Sequence, residues 1–382
     1  MENAIKETEN FRFAYLDNVR SLVIFLVVAM HSTVTYGGMG GWYYIEGSPD
    51  NLTMLEYVLF GFFQSFVQAW FMGVLFFISA YLATKALARH GFFCFIKERL
   101  FRLGLPLLIY VFVVSPFIMF ILLKINPTNT FVENYMQYII RFWWLSSTGP
   151  LWYCQVLLFL CIVYAILRQF ILKPILIKEF NTYKIIITVM FTAAIAFLIR
   201  LYFPIGTSFL NLQFAYFASY IVLFLIGIII GESGLWDNIT NSKNIKWFIL
   251  SLLIAMPTWS LLMAFGGAAQ EGLDKFNGGF HWQSFAFSFW ESFMAICFSV
   301  GMIAFFKKKV NLDTKFTRLM RDNAFGIYCF HAPILISVSL MFKEVSFKPS
   351  IKFIIVTIIA FSLCLAFSFL IRKIKPIRIL YK

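Results

Sequence analysis

The chain has 382 residues, of which 61% are hydrophobic, 20% are aromatic and only 13% are charged. A soluble domain carries about twice that charged share, so the composition excludes an ordinary soluble enzyme. The net charge of +14 does not indicate a nucleic-acid partner, because the Lys and Arg residues cluster in short segments between apolar runs. That distribution is typical of an integral protein surrounded by membrane lipid.

Repeated apolar runs of about 20 residues predict membrane-spanning helices, because such a run crosses the hydrocarbon core and satisfies its backbone hydrogen bonds internally. In chain order, the predicted spans are 15–36, 56–83, 103–123, 149–167, 184–201, 212–230, 247–265, 284–306, 324–342 and 351–371. The first is predicted to be a retained helix rather than a signal peptide, since residues 1–10 are more acidic than basic. The sequence therefore predicts one all-α, polytopic membrane domain (1–382) with about ten transmembrane helices and no appended soluble domain.

The basic residues predict how these spans are oriented. Ten spans place both termini on the same side of the membrane. The loops on that side hold most of the Lys and Arg residues, notably in 85–102, 168–184 and 307–321, whereas the loops on the other side hold few. Because cytoplasmic loops are enriched in Lys and Arg, we predict a plasma or inner membrane protein with both termini in the cytoplasm.

The six cysteines give no sign of a metal site. All but Cys94 fall within predicted spans, and none forms a C-x-x-C pair or a Cys/His spacing typical of zinc. We interpret them as small buried side chains, and we predict neither a metal nor a permanently bound cofactor.

The first predicted span carries three ionisable side chains, Asp17, Arg20 and His31. Ionisable residues inside a membrane are costly and are functional candidates by default. Eleven positions of an α-helix amount to three turns and about 20°, so Arg20 and His31 share one face and lie roughly 16 Å apart along the axis. Asp17, three positions before Arg20, can pair with it on the same face.

This polar stripe has two interpretations. An arginine near the cytoplasmic end suits phosphate or carboxyl groups that arrive from the cytosol, and a neutral imidazole deeper in the membrane can accept a proton from a hydroxyl group. Alternatively, Arg20 is an interface anchor and His31 makes a hydrogen bond between helices. The presence of Asp17 on the same stripe favours the functional interpretation.

Other polar features are less specific. Glu291 in the eighth span either orients a histidine, pairs with Arg200 or His281, or has a structural role alone. His331 lies before a proline in the ninth span, where it either faces a site or satisfies a local backbone carbonyl. The outer loop 37–55 is rich in Gly, Tyr and Trp, which indicates either a sugar-like ligand or ordinary interfacial aromatic residues.

The basic stretch 97–102 (KERLFR) also has two interpretations. It is either a positive-inside loop with a Glu98–Arg102 helical pair or a binding site for a phosphorylated cytosolic cofactor. The residues themselves do not decide between these alternatives.

Five segments, spread in order along the chain, carry a set of motifs. The segment 15–31 has an R-x10-H pattern, 75–81 (LFFISAY) is close to FF-x-x-SG-[FY], and 99–106 (RLFRLGLP) has the form R-x-x-R-x-x-x-P. The segment 151–153 (LWY) is close to LWF, and 328–333 (YCFHAP) has the form Y-x-x-H-x-P. With the count of ten spans, this series resembles the family-3 membrane acyltransferases, and the branch of glucan-modifying succinyltransferases looks nearest.

The resemblance implies transfer of an acyl group from a cytosolic acyl-CoA, either acetyl-CoA or succinyl-CoA, to a hydroxyl of an extracytoplasmic glycan or another cell-envelope acceptor. His31 is the implied catalytic base, with Arg20 held by Asp17. The residues implied to hold the acyl-CoA co-substrate are Arg20, Ser79, Arg99, Arg102, Trp152, Tyr328 and His331. The alternative is a secondary transporter or flippase of a polar or lipid-linked solute, in which the same embedded residues couple protons or bind the solute.

Overall fold

The computed structural model describes residues 13–171 and 173–374, and within them it contains helices and connecting loops but no β-strand. Ten helices are long and apolar enough to cross a membrane. We number them α1 (Ala14–Gly37), α2 (Met54–His90), α3 (Phe92–Leu122), α4 (Gly149–Phe170), α5 (Thr182–Arg200), α6 (Phe214–Ser233), α7 (Ser242–Phe265), α8 (Trp282–Lys309), α9 (Lys315–Met341) and α10 (Pro349–Ile371). The prediction of an all-α protein with about ten transmembrane helices is confirmed.

Several helices continue beyond the apolar runs that predict them. Helix α2 extends to His90, and α9 already begins at Lys315, because Lys and Arg are good helix formers and the helix continues into the charged segments. Side-chain caps set other ends: Thr53 and Glu56 form a capping box at the start of α2, and Thr314 accepts a hydrogen bond from the third residue of α9. The apolar run therefore marks the membrane core of each helix rather than its ends.

Helix α1 lies in the interior of the bundle, in contact with α2, α8, α9 and α10. Its residues Val19 and Val23 are fully buried. The side-chain amide of Asn18 donates to the carbonyl oxygens of Val310 and Leu312, at 2.7 and 3.0 Å. Because α1 is surrounded by other helices, its polar stripe lies inside the protein rather than against lipid.

Two glycines of α6 allow that helix to approach α2 closely. A Cβ atom at Gly227 would lie 2.4 Å from the carbonyl oxygen of Phe77, and one at Gly231 would lie 2.3 Å from the hydroxyl oxygen of Thr84. Small residues at a helix crossing let two backbones pack tightly inside a membrane. This crossing fixes the segment of α2 that carries Ser79.

Helix α3 contains a proline whose effect is compensated by two tyrosines. Pro116 has no N–H group, so this part of α3 lacks one donor for the carbonyl oxygens of Val111 and Phe112, five and four residues earlier. Tyr138 donates to the Val111 carbonyl at 2.6 Å, and Tyr135 donates to the Phe112 carbonyl at 3.2 Å. Because an unpaired carbonyl is costly in a membrane, these bonds hold the segment after α3 against that helix.

A buried ion pair joins α5 to α8. Arg200 is fully buried, the side chain of Glu291 is 5% exposed, and the two form a salt bridge. The Arg200 guanidinium also donates to the Ser288 hydroxyl at 3.1 Å and to the Ala215 carbonyl at 3.3 Å. Of the interpretations of Glu291 that the sequence leaves open, the pairing with Arg200 is the one found.

Candidate active site

Three aromatic rings meet at the end of α1 that lies away from the basic loops. The rings of His31 and Trp42 are stacked, with centroids 3.7 Å apart and planes 16° from parallel. The centroid of His331 lies 5.2 Å from that of His31 and 6.1 Å from that of Trp42. These separations form a triangle with nearly a right angle at His31. Trp42 therefore covers the face of the His31 ring, whereas His331 lies beside its edge.

Trp42 belongs to the loop 38–53, which folds back over the end of α1. Two successive backbone N–H groups of this loop donate to the carbonyl oxygen of Thr35 at 2.9 Å. The carboxylate of Glu46 forms an ion pair with Lys352 of α10, whose side chain is only 7% exposed. These contacts hold the loop against the helix bundle and place Trp42 over the His31 ring.

A second contact fixes the residue next to Trp42. Tyr110 of α3 donates a hydrogen bond to the hydroxyl oxygen of Tyr43 at 3.3 Å. Both hydroxyl oxygens lie so close to Gly149 that a Cβ atom there would be 2.5 to 2.6 Å from them, and Gly149 also has φ +48°. Burial raises the pKa of Tyr43 above its ordinary value, so its hydroxyl remains protonated at neutral pH.

His331 is fully buried in α9, and its two ring nitrogens have different surroundings. Nδ1 lies 2.8 Å from the carbonyl oxygen of Tyr328. Nε2 is buried and has no hydrogen-bond partner among the described residues. The Tyr328 hydroxyl donates to the Pro150 carbonyl, which joins this turn of α9 to the start of α4. Both interpretations of His331 therefore apply, since it satisfies a local carbonyl and also faces the candidate site.

Asp17 and Arg20 form the ion pair that their spacing predicts, with 3.6 Å between Oδ1 and Nη1. Arg20 also lies within electrostatic range of the Tyr153 hydroxyl, which is 2.9 Å from the hydroxyl of Ser79. The side chain of Arg20 is 34% exposed. Arg20 therefore lies at the end of α1 that is near the basic loops, close to polar side chains of α2 and α4.

The motif residues of α2, α4 and α9 are neighbours in the structure. Ser79 bonds to Tyr153, whose ring packs edge-on against Tyr328, with centroids 6.3 Å apart. Trp152 stacks on Tyr220 of α6, with centroids 5.4 Å apart. Tyr153 thus connects Ser79 and Tyr328, two of the residues implied to hold acyl-CoA, although the sequence marks Tyr153 only as part of a motif.

Arg99 and Arg102, at the start of α3, face different surroundings. The guanidinium of Arg99 lies over the Phe95 ring, 4.9 Å from its centroid, and its Nε atom is buried without a hydrogen-bond partner in the described chain. Arg102 forms an ion pair with Glu98 at 3.0 Å, and its side chain is 42% exposed. Arg99 is therefore partly enclosed by the protein, whereas Arg102 lies nearer the surface.

The site residues also differ in how well the sequence identifies them. The sequence identifies four of them as candidates, namely Asp17, Arg20, His31 and His331, but it does not identify Trp42. The only signal for Trp42 was its position in an aromatic-rich loop directly after the helix that carries His31. Within residues 13–171 and 173–374, no group of three His, Cys, Asp or Glu side chains is arranged to hold a metal ion.

Comparison with known proteins gives one match. A family model described as an acyltransferase domain, Acyl_transf_3, matches residues 13–373, which is nearly the whole chain. No curated protein and no solved structure matches the chain at a significant level. The match includes all ten helices and every residue of the site described above.

Proposed function

The chain belongs to the family-3 acyltransferases, and from that premise we propose that it moves an acyl group from acyl-CoA to a hydroxyl group across the membrane. The observation that carries this proposal is the arrangement along α1, with His31 beside Trp42 at one end and the Arg20–Asp17 pair at the other. A proton acceptor at one end and a guanidinium at the other suit two substrates that arrive from opposite sides.

The basic loops support a cytoplasmic position for the end of α1 that carries Arg20. The segments 85–102 and 307–321 lie at this end and are rich in Lys and Arg, as cytoplasmic loops are. With this orientation, both termini are cytoplasmic in a plasma or inner membrane. The loop 38–53, with Trp42, then faces the outside.

The donor on the cytoplasmic side is acyl-CoA, with acetyl-CoA and succinyl-CoA as the two candidates. Arg99, Arg102 and Arg20 bind its phosphate groups, for which guanidinium groups form strong charge-assisted hydrogen bonds. The pantetheine arm passes the motif residues of α2, α4 and α9 on its way to His31. The separation of roughly 16 Å between Arg20 and His31 along the helix axis lies within the reach of such an arm.

The acceptor on the outer side is a hydroxyl group of a glycan or of another cell-envelope compound. Its oxygen attacks the thioester carbonyl carbon while a ring nitrogen of His31 takes the hydroxyl proton. A C–O bond forms, the C–S bond breaks, and the sulfur leaves with the electron pair of that bond. General-base assistance of this kind typically accelerates a reaction by about 10²–10⁴-fold, and positioning of the two substrates adds to it.

A transfer assay in detergent micelles tests this proposal. The purified protein is mixed with radiolabelled acetyl-CoA or succinyl-CoA and with an envelope fraction from cells that lack the protein. We expect label to enter the envelope fraction, because acyl transfer needs no gradient. A secondary transporter or flippase would use the embedded residues for coupling or solute binding and would transfer no label. Absence of transfer from both donors would contradict the acyltransferase proposal.

The environment of Arg99 gives a prediction about the donor. Replacing Arg99 with glutamine is expected to raise the KM for acyl-CoA roughly tenfold or more, because one charge-assisted phosphate contact is lost, and to change kcat less. The matched variant Arg102→Gln is expected to show a smaller rise in KM, since Arg102 is more exposed and already forms an ion pair with Glu98. Steady-state kinetics at varied acyl-CoA concentration measures both values. An unchanged KM in Arg99→Gln would remove Arg99 from the donor site.

A further inference from the structure

Local packing explains the contact that one ring nitrogen of His331, Nδ1, makes. It does not explain the other ring nitrogen, Nε2. A carbonyl oxygen can only accept a hydrogen bond, so the contact of Nδ1 with the Tyr328 carbonyl places the proton of the neutral ring on Nδ1. Nε2 then carries a lone pair. Buried polar atoms are nearly always paired, yet this one has no partner in the described part of the chain. An unpaired acceptor at this depth points to a partner that it meets during the reaction.

The positions of the three rings identify that partner. The right angle at His31 places His331 beside the edge of the His31 ring, and the planes of the two imidazoles differ by only 17°. Once the radii of both rings are subtracted from the 5.2 Å between their centroids, the facing edges lie about 3 Å apart. No hydrogen bond joins Nε2 to His31 in this arrangement, so the proton transfer requires a small adjustment of the two side chains. Trp42, stacked on the face of His31, restricts the tilt of that ring and keeps its edge towards His331.

A catalytic base is usually oriented by a third group, and a carboxylate often has that role. The buried and half-buried carboxylates in this half of the bundle already have partners: Glu46 pairs with Lys352, Glu291 pairs with Arg200, and Glu56 accepts hydrogen bonds from Thr53 and Ser350. The hydroxyl of Tyr328 likewise has a partner, because it donates a hydrogen bond to the Pro150 carbonyl. His331 is therefore the group available to orient His31.

We propose that His331 is a positioning residue that accepts the ring proton of His31 at Nε2 while His31 takes the proton of the acceptor hydroxyl. This inference rests on the proposed acyl transfer. One nitrogen of His31 gains the hydroxyl proton, the other releases its proton to His331, and the positive charge moves to His331. When the C–S bond breaks, the CoA thiolate receives a proton from His31, and His331 returns its proton to His31. Both rings end the cycle neutral.

Two amide substitutions separate this role from a purely structural one. Asparagine at position 331 places an amide N–H near the Nδ1 position and keeps the bond to the Tyr328 carbonyl, but it leaves nothing at the Nε2 position. Glutamine places an amide oxygen near the Nε2 position, where it accepts a hydrogen bond from His31, but it gives up the contact with Tyr328. The two roles therefore predict opposite orders of activity.

The label-transfer assay, with full-length protein at matched level in membranes, measures that order. We expect the wild type to be fastest, His331→Gln to be slower, and His331→Asn to be slowest, with a loss of roughly 10²-fold or more. An Asn variant faster than the Gln variant would show a structural role and overturn the proposal. The control is His281→Asn, a histidine exposed in an outer loop, which is expected to keep the wild-type rate.

Chemical rescue gives a second measurement that folding defects do not imitate. His331→Ala leaves a space about the size of an imidazole, and added imidazole is expected to restore label transfer in that variant but not in His31→Ala. A folded His331→Ala protein that imidazole does not stimulate would overturn the inference. A wild-type protein that transfers no label would instead contradict the proposed function itself, so the two failures are distinguishable.

Discussion

Replacing His31 with alanine is expected to reduce acyl transfer to the background rate while the protein remains in the membrane at its normal level. The imidazole lies beneath Trp42 and beside His331, and its loss removes the proposed base and its contact with His331 together. A general base alone contributes about 10²–10⁴-fold. Radiolabelled acyl-CoA and an envelope fraction, with wild type and variant compared at matched expression, measure the effect.

Two controls separate chemistry from packing in this experiment. His31→Phe keeps an aromatic ring beneath Trp42, so the loop 38–53 retains its stacking contact, but it offers no proton acceptor. We expect His31→Phe to be as inactive as His31→Ala, and His281→Ala to be as active as the wild type. Substantial activity in the phenylalanine variant would show that His31 supports the loop rather than the reaction.

The fold was predictable because hydropathy and helical periodicity act within single segments. An apolar run long enough to cross the membrane becomes a helix whatever lies elsewhere in the chain. For the same reason, the sequence alone predicts the stripe of Asp17, Arg20 and His31, since helix geometry places them on one face. The pairing of Asp17 with Arg20 follows from that geometry and is present in the structure.

The rest of the site depends on contacts between distant segments, which no local pattern encodes. Trp42 lies over His31 in part because Glu46 of its loop pairs with Lys352, 306 positions later in the chain. The edge contact between His31 and His331 likewise needs α1 and α9 packed side by side. A motif marks His331 as a candidate, but the unpaired Nε2 atom and the closeness of its ring to His31 are seen only in the structure.

Replacing Glu291 with alanine is expected to be strongly destabilising. The mutation leaves the Arg200 guanidinium fully buried without its counter-ion, and removal of one partner of a buried pair costs about 3–5 kcal/mol. That is a large share of a net stability of about 5–15 kcal/mol. Thermal unfolding of the purified protein in detergent, followed by size-exclusion chromatography, measures the loss. The matched control is Glu271→Ala, which removes a carboxylate from an exposed pair with Lys275 and is expected to change little.

A double variant tests whether the penalty comes from the unpaired charge. If it does, Arg200→Met combined with Glu291→Leu is expected to be more stable than Glu291→Ala, because no charge then remains buried and the apolar side chains fill the space. The Arg200 guanidinium also lies over the rings of Tyr216 and Phe287, 5.8 and 5.7 Å from their centroids, and a methionine there keeps apolar contact with this region. A double variant as unstable as Glu291→Ala would instead show that the hydrogen bonds that Arg200 donates to Ser288 and Ala215 stabilise the protein as much as the unpaired charge destabilises it.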